Sequence, residues 1–394
     1  MRLAILALLC SFVLQGAWKR HTIDNASQGA DGVRLADING DGLQDIVTGW
    51  EEGGVVRVYL NPGPKQTRQP WPNVTVGEVA SPEDAVFVDL DGDGASDVVS
   101  SSEGSEQAIH VHWGPSRDRI LDPKAWTTGR LPAAHLVMQW MFALPVDIDG
   151  LHGIDLVAGG KNRNAQVGWF ASPPNPRDLA AWRWFPMTPV GWIMSIEAHD
   201  MDGDGDLDLL ISDRKGERSG VFWLDNPGKD SPALHQPWTR RPVGALGEEV
   251  MFLTTADLDG DGLVDVISTA KPDWIYFHRR RNRGGLAWQN YRIRLPEGVG
   301  TVKAVRVADI DLDGKPDLIF SCEQAKGDLS GVMWLSYADS PVEQQWRPHE
   351  ISGPEGVKYD LIELVDLDGD GDLDVITCEE TTGLGVVWYE NPAR

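Results

Sequence analysis

The nine residues Asp366-Leu367-Asp368-Gly369-Asp370-Gly371-Asp372-Leu373-Asp374 constrain this chain more than any other feature, because near-copies of them recur along its whole length. Carboxylates at positions 1, 3 and 5 converge in a tight loop, a glycine at position 6 takes the sharp turn, and an aspartate at position 9 closes the set. Only a hard cation with many oxygen ligands makes such a convergence of negative charge favourable. The pattern is not the helix-flanked calcium loop, whose last acid comes at position 12. Here Val365 precedes the loop and Val375-Ile376-Thr377 follow it, so β-branched runs and hence strands flank it.

The copies start at Asp37, Asp89, Asp147, Asp200, Asp257, Asp309 and Asp366, with spacings of 52, 58, 53, 57, 52 and 57. A period this regular, with apolar runs and no helical periodicity, means a β array and overrides the two or three domains that length alone suggests. One strand runs before each loop, as at 85–88, and a second after it, as at 97–99. A third follows a turn, at 55–60, 109–113, 166–170, 221–224, 274–277, 332–335 and 386–389. A fourth opens at Trp71, Trp126, Trp182, Trp238, Trp288 and Trp346. Four antiparallel strands per repeat make one propeller blade. Residues 18–23 have the form of a fourth strand and the chain stops just after a third. The expectation is therefore all-β: a seven-bladed propeller of four-stranded blades over 18–394, its ring closed by the N-terminal strand completing the last blade, with no exposed edge.

Charge and termini bound the function. With 35 basic and 60 acidic residues the net charge is −25, which argues against nucleic acid or an anionic membrane as partner. Arg2 followed by the apolar run 3–14 predicts a secretory signal over residues 1–17, too short to span a bilayer. A secreted or periplasmic monomer is expected. Cys322 and Cys378 end equivalent strands of successive repeats. Stacked sheets lie about 10 Å apart and a disulfide needs Cα atoms within roughly 7 Å, which argues against a bridge.

The loops DINGDGLQD, DLDGDGASD, DMDGDGDLD, DLDGDGLVD, DIDLDGKPD and DLDGDGDLD resemble FG-GAP/VCBS repeats, the type found in the propeller of integrin α subunits. The Trp-led outer strands and the endings Phe222-Trp223-Leu224-Asp225-Asn226-Pro227 and Trp388-Tyr389-Glu390-Asn391-Pro392 look more particularly like the propeller domain of aldos-2-ulose dehydratases. That likeness implies sugar chemistry together with a cupin-like domain, which has no counterpart in these residues, so the activity does not simply carry over.

Six loops are expected to hold calcium, about six ions in all. Their ligands would be Asp37, Asn39, Asp41 and Asp45; Asp89, Asp91, Asp93 and Asp97; Asp200, Asp202, Asp204 and Asp208; Asp257, Asp259, Asp261 and Asp265; Asp309, Asp311, Asp313 and Asp317; and Asp366, Asp368, Asp370 and Asp374. The third loop keeps Asp147, Asp149 and Asp155 but has Leu151 at position 5 and His152 at position 6, so it is expected to be empty. Each ion would clamp a hairpin, a structural role.

The repeating tryptophans read as packing between blades, whereas Trp50, Trp140 and Trp192 break the repeat. They fall on the face opposite the loops, with His135, Lys161, Arg163, Arg214 and Lys215 from blades three and four. A ligand site of Trp140, Trp192, Lys161, Arg163, Arg214 and Lys215 would suit a carbohydrate bearing carboxylate or sulfate, or else an extracellular protein surface. Arg306, Glu363 and Arg34, each three residues before a loop, read as an ion-pair network around the channel, and the run Arg279 to Arg283 as a solvated loop.

No nucleophile elbow, phosphate-binding loop or HExxH helix is present, so the catalytic reading is weak. The rival to a binding module is a sugar-active enzyme, a dehydratase or polysaccharide lyase. A lyase would need a base beside a cation, for which Tyr359 with Lys358 or His135 with Arg163 are the candidates.

Overall fold

The computed structural model describes residues 16–343 and 345–394, so the leader read at 1–17 lies, but for its last two residues, outside the described residues. The described strands form seven four-stranded antiparallel sheets, six of them built from consecutive strands around one Asp loop and the seventh from the last three strands and the first. Blade one is Ala30–Ala36, Asp45–Trp50, Val55–Tyr59 and Asn73–Glu78. The first strands of successive blades touch one another in a closed circle, the seventh meeting the first. Second strands such as Asp45–Trp50 and Asp208–Asp213 are buried throughout, because a sheet lies on each side of them, and this is why they read as apolar runs. Fourth strands such as Trp288–Arg294 are largely exposed or half-buried.

One carboxylate in every repeat but the sixth ties three strands together. The position-9 aspartates Asp45, Asp97, Asp155, Asp208, Asp265, Asp317 and Asp374 are buried, and each accepts the N–H of loop position 2 at 2.8–3.1 Å. All but Asp317 also accept, at 2.8–2.9 Å, an N–H at or just beyond the end of the third strand. Buried backbone donors need such partners. At position 6 the backbone has φ of +83° to +97° in six loops, all at glycine, and +61° at His152 in the third. Glycine carries no penalty for that turn.

The Trp that leads each outer strand anchors the connection before it. Trp71, Trp126, Trp182, Trp238, Trp288 and Trp346 donate Nε1–H to Thr67, Ile120, Pro176, Leu234, Gly285 and Glu343 carbonyls, at 2.7–3.1 Å. The indole is thereby buried, or half-buried at Trp288 and Trp346, while its polar atom is satisfied. Cys322 and Cys378 are both buried and free.

Blade seven is assembled from both ends of the chain: Tyr359–Val365, Asp374–Glu379, Gly385–Glu390 and then Lys19–Asp24. Lys19–Asp24 runs antiparallel to Gly385–Glu390 with His21 opposite Trp388. His21 stacks on Trp388 at 4.4 Å and bonds Glu390 at 2.6 Å. Trp18 and Ile23 are buried, and losing two such side chains costs on the order of 4 kcal/mol or more. Deleting residues 16–24 is therefore expected to lower the urea midpoint sharply; a parental midpoint would show that the ring holds without this strand.

Candidate functional site

The first strands run toward the Asp loops, so their starts mark the opposite face of the ring. Each first strand carries a register shift near its start, between residues such as Asp31 and Arg34, Trp140 and Phe142, or Val250 and Leu253. A bulge turns two consecutive side chains to one side. Pairs such as Asp31 and Gly32, Glu83 and Asp84, Met141 and Phe142, Met251 and Phe252 accordingly all line one axial cavity of about 240 Å³.

Two rings of equivalent positions shape this mouth. Six residues before each loop, blades one to seven place Asp31, Glu83, Met141, Met194, Met251, Lys303 and Asp360, and all seven line the cavity. Fourteen residues after each loop start, where the second strand ends, they place Glu51, Glu103, Lys161, Arg214, Lys271, Glu323 and Glu380. Both rings divide at the same blades. Blades three, four and five give methionine inside and a cation outside; blades six, seven, one and two give a charged residue inside and a glutamate outside. Phe142 and Phe252 extend the apolar arc.

The charges are largely paired. Lys161 meets Glu83 at 3.1 Å and also Glu103, across the boundary of blades three and two. Lys271 pairs with Glu323 across the boundary of blades five and six, and Arg214 with Glu249 at 2.6 Å. Buried Lys303 donates to Asp360 at 2.6 Å and to Glu380 at 3.1 Å, and Lys358 also reaches Glu380. Although burial opposes it, the Lys303 ammonium holds the Asp360 carboxyl below the usual carboxylate range, and the same carboxylates hold Lys303 charged. Asp31 is pushed well up by burial and by Asp360 and Glu380. Burial and then Glu83 raise Glu51 to about 7.

Of the ligand residues read from sequence, the structure gathers four. Lys161 Nζ, Arg214 Cζ and Lys215 Nζ lie 4.6, 4.4 and 4.5 Å from the ring centre of half-buried Trp192, a set of cation–π contacts. Trp192, Lys161 and Arg214 line the cavity and Lys215 lies outside it. Trp140 is corrected: it is 0% exposed, donates to Ala134 O at 2.8 Å, and packs on Phe170 and Trp184. Trp50 is equally buried, with Nε1–H on the Tyr59 hydroxyl. Arg163 is exposed on the turn after the second strand and is not part of the mouth.

The basic mouth is corrected too, since seven carboxylates and four cations line the cavity. Neither lyase pairing assembles. The Tyr359 hydroxyl is bonded to Glu355 O and Tyr389 while Lys358 is held by Glu380, and His135 is bonded to Arg130. Arg306 does pair with Glu363 at 2.8 Å, but Arg34 turns to Asp84 at 3.0 Å. Arg280 is buried and donates to Met201 O and Arg283 O, unlike the solvated loop expected.

On the other face, loop carboxylates converge without an ion being needed to describe them. Oxygens of Asp89, Asp91 and Asp97, of Asp200, Asp202 and Asp204, and of Asp147, Asp149 and Asp155 lie within 4.8 Å of one another. The third loop thus keeps a carboxylate triad despite exposed Leu151 and His152. Position-1 carboxylates accept loop N–H groups, as Asp37 does from Gly40 at 2.7 Å and Gly42 at 2.9 Å. Arginines reach three loops: Arg177 to Asp91 and Asp93, Arg279 to Asp259 and Asp261, Arg68 to Asp368. Asp309 Oδ1 and Asp368 Oδ1 are buried with no hydrogen-bond partner, and an all-oxygen donor set with such orphaned acceptors suits a hard divalent cation. Among the described residues no helix is long and apolar enough to cross a membrane.

The model of the FG-GAP-like repeat matches residues 37–100 and 257–320. No curated protein matches the chain in sequence. Among solved structures, YCF48 from Cyanidioschyzon merolae is similar at 10% identity and a TM-score of 0.57, over 96% of this chain and 99% of that one. BBS1N, solved in complex with ARL6DN, aligns at 12% identity and a TM-score of 0.53, over 95% and 97%. An Agrocybe aegerita lectin, described as specifically recognising non-reducing terminal N-acetylglucosamine, aligns at 16% identity over 83% and 80%, with a TM-score of 0.45. The first two likenesses carry the fold and nothing about a ligand.

The two tryptophans on which the site reading turned separate by stability. Trp140→Ala empties a closed site and is expected to cost about 3–5 kcal/mol in urea unfolding. Trp192→Ala opens onto the mouth and is expected to cost less than half of that. Equal costs would mean that Trp192 is core as well.

Proposed function

Because the chain is a seven-bladed β-propeller built on FG-GAP-like repeats, we propose that it is a secreted binding module whose axial mouth takes a saccharide, with calcium in the Asp loops as staple. The observation that carries this reading is the common division of the two rings. Positions that only packed or lined a pore would repeat around the axis, yet here three adjacent blades give methionine and four give charge. A pyranose has one C–H face and a rim of hydroxyls. The Met141, Met194, Met251, Phe142 and Phe252 arc meets the first, adaptable because thioether side chains are flexible. The facing carboxylates and lysines accept from and donate to the second. With carboxylates outnumbering cations in the cavity, a neutral or amino sugar fits better than the acidic glycan suggested by Lys161, Arg163, Arg214 and Lys215 alone. A concave site of this size favours a small ligand over a protein surface. The closed ring leaves no incomplete blade for a second copy to fill, which supports a monomer.

Calcium fits the loops because loop carboxylates meet in threes and keep orphaned oxygens. At extracellular, millimolar calcium, sites with Kd of roughly 10⁻⁴–10⁻³ M are occupied. Chelation is expected to lower Tm substantially, since several ions bind the folded state alone. An unchanged melting curve in chelator would remove calcium from the account.

The mouth itself is tested by calorimetric titration with neutral, amino and uronic acid oligosaccharides. Binding of the first two in the micromolar to millimolar range is expected, with the uronic acids at least tenfold weaker. Met141→Lys should abolish it at unchanged Tm. Binding that ignores Met141→Lys but is lost on altering a loop-face residue such as Arg281 would move the site to the other face.

A further inference from the structure

Two acidic triads meet at Asp31. Oxygens of Asp31, Asp360 and Glu380 lie within 4.8 Å of one another, and so do oxygens of Asp31, Glu51 and Glu83. The first triad already has its countercharge, because Lys303 and Lys358 sit on Asp360 and Glu380. The second does not. Lys161 touches only Glu83 in it, and shares itself with Glu103. Glu51 has no ion-pair partner among the described residues.

Asp31 is the independent sign that something is missing. Its residue is only 8% exposed and it faces the cavity, yet no N–H, hydroxyl or cation among the described residues meets its side chain, which is set against the Asp360 carboxyl instead. Asp360 Oδ1, in the adjoining triad, is likewise buried without a partner. Two buried carboxyl groups set against each other in this way need a proton or a cation to serve them. Six carboxylates, those of Asp31, Glu51, Glu83, Glu103, Asp360 and Glu380, face three ammonium groups, those of Lys161, Lys303 and Lys358. One divalent ion offsets two of the three surplus negative charges.

We propose that Asp31, Glu51 and Glu83 hold a calcium ion at the mouth between blades one and two, on the face opposite the Asp loops. Carboxylate oxygens within 4.8 Å of one another are close to the spacing that three ligands of one calcium ion adopt. Glu51 and Glu83 are half-buried, so the coordination positions left over open to the cavity. If the saccharide reading of the mouth is right, vicinal hydroxyls would fill them; the ion site itself does not rest on that reading.

The test counts calcium bound per chain by equilibrium dialysis against calcium chloride, for the parent, Asp31→Asn and Glu51→Gln. Each variant is expected to bind one ion fewer than the parent, whatever number the loops hold, so failure of the loop sites would not disguise the result. Asn at 31 can donate to Asp360 and keeps the shape of the side chain; Glu51→Gln, at the partly open rim, covers the case in which Asp31→Asn does not fold. An unchanged count in both folded variants would overturn the proposal, and would mean that Asp31 and Asp360 share a proton instead.

Discussion

The buried aspartate at loop position 9 is the interaction on which each blade depends. Its two oxygens take an N–H from the start of the loop and, in all repeats but the sixth, one at or just past the end of the third strand. One side chain thus sets the distance between the first, second and third strands. The third repeat makes the point by contrast. Its loop has lost the position-5 acid and the position-6 glycine, yet Asp155 keeps both backbone bonds, at 2.8 Å each. The carboxylate at 9 serves the sheet first; any cation is a further partner, using lone pairs the backbone leaves over.

Much of this was legible in the sequence, because the loop repeats in register with the fold. The seven starts, the apolar run after each and the Trp that leads the outer strands correspond to seven sheets, with strand limits shifted by up to three residues. The mouth was harder to read. Counting alternate residues back from a loop works only as far as the bulge, where two consecutive side chains turn the same way and parity is lost. Trp140 lies beyond that bulge, which is why a residue that looked like a platform is core. The signal that does find the mouth is alignment on the loops. Six residues upstream it yields Asp, Glu, Met, Met, Met, Lys, Asp, and fourteen downstream Glu, Glu, Lys, Arg, Lys, Glu, Glu. Arg163, exposed on a turn, shows the opposite error: proximity in sequence to Lys161 did not place it at the site.

The division of the two rings also explains how so many charges share one small cavity. Cations on blades three to five pair outward or across the arc boundaries, with Glu249, Glu103 and Glu323, while Lys303 is buried inside the acidic arc where two carboxylates hold it charged. Opposite charges thus meet at the seams and also, at Lys303 and Lys358, inside the acidic arc itself. A net charge of −25 says nothing of this arrangement.

Lys19–Asp24 and Gly385–Glu390 are neighbours in one sheet although His21 and Glu390 are 369 residues apart. The stretch that emerges early from the ribosome must therefore wait for nearly the whole chain before its partner exists. Six blades can form in order as they are made, each from strands close in sequence, but the seventh is a long-range closure that carries the largest loop entropy in the molecule. Until it happens the ring is an open arc with two bare edges, so the time between synthesis and closure is when this chain is most exposed to wrong partners.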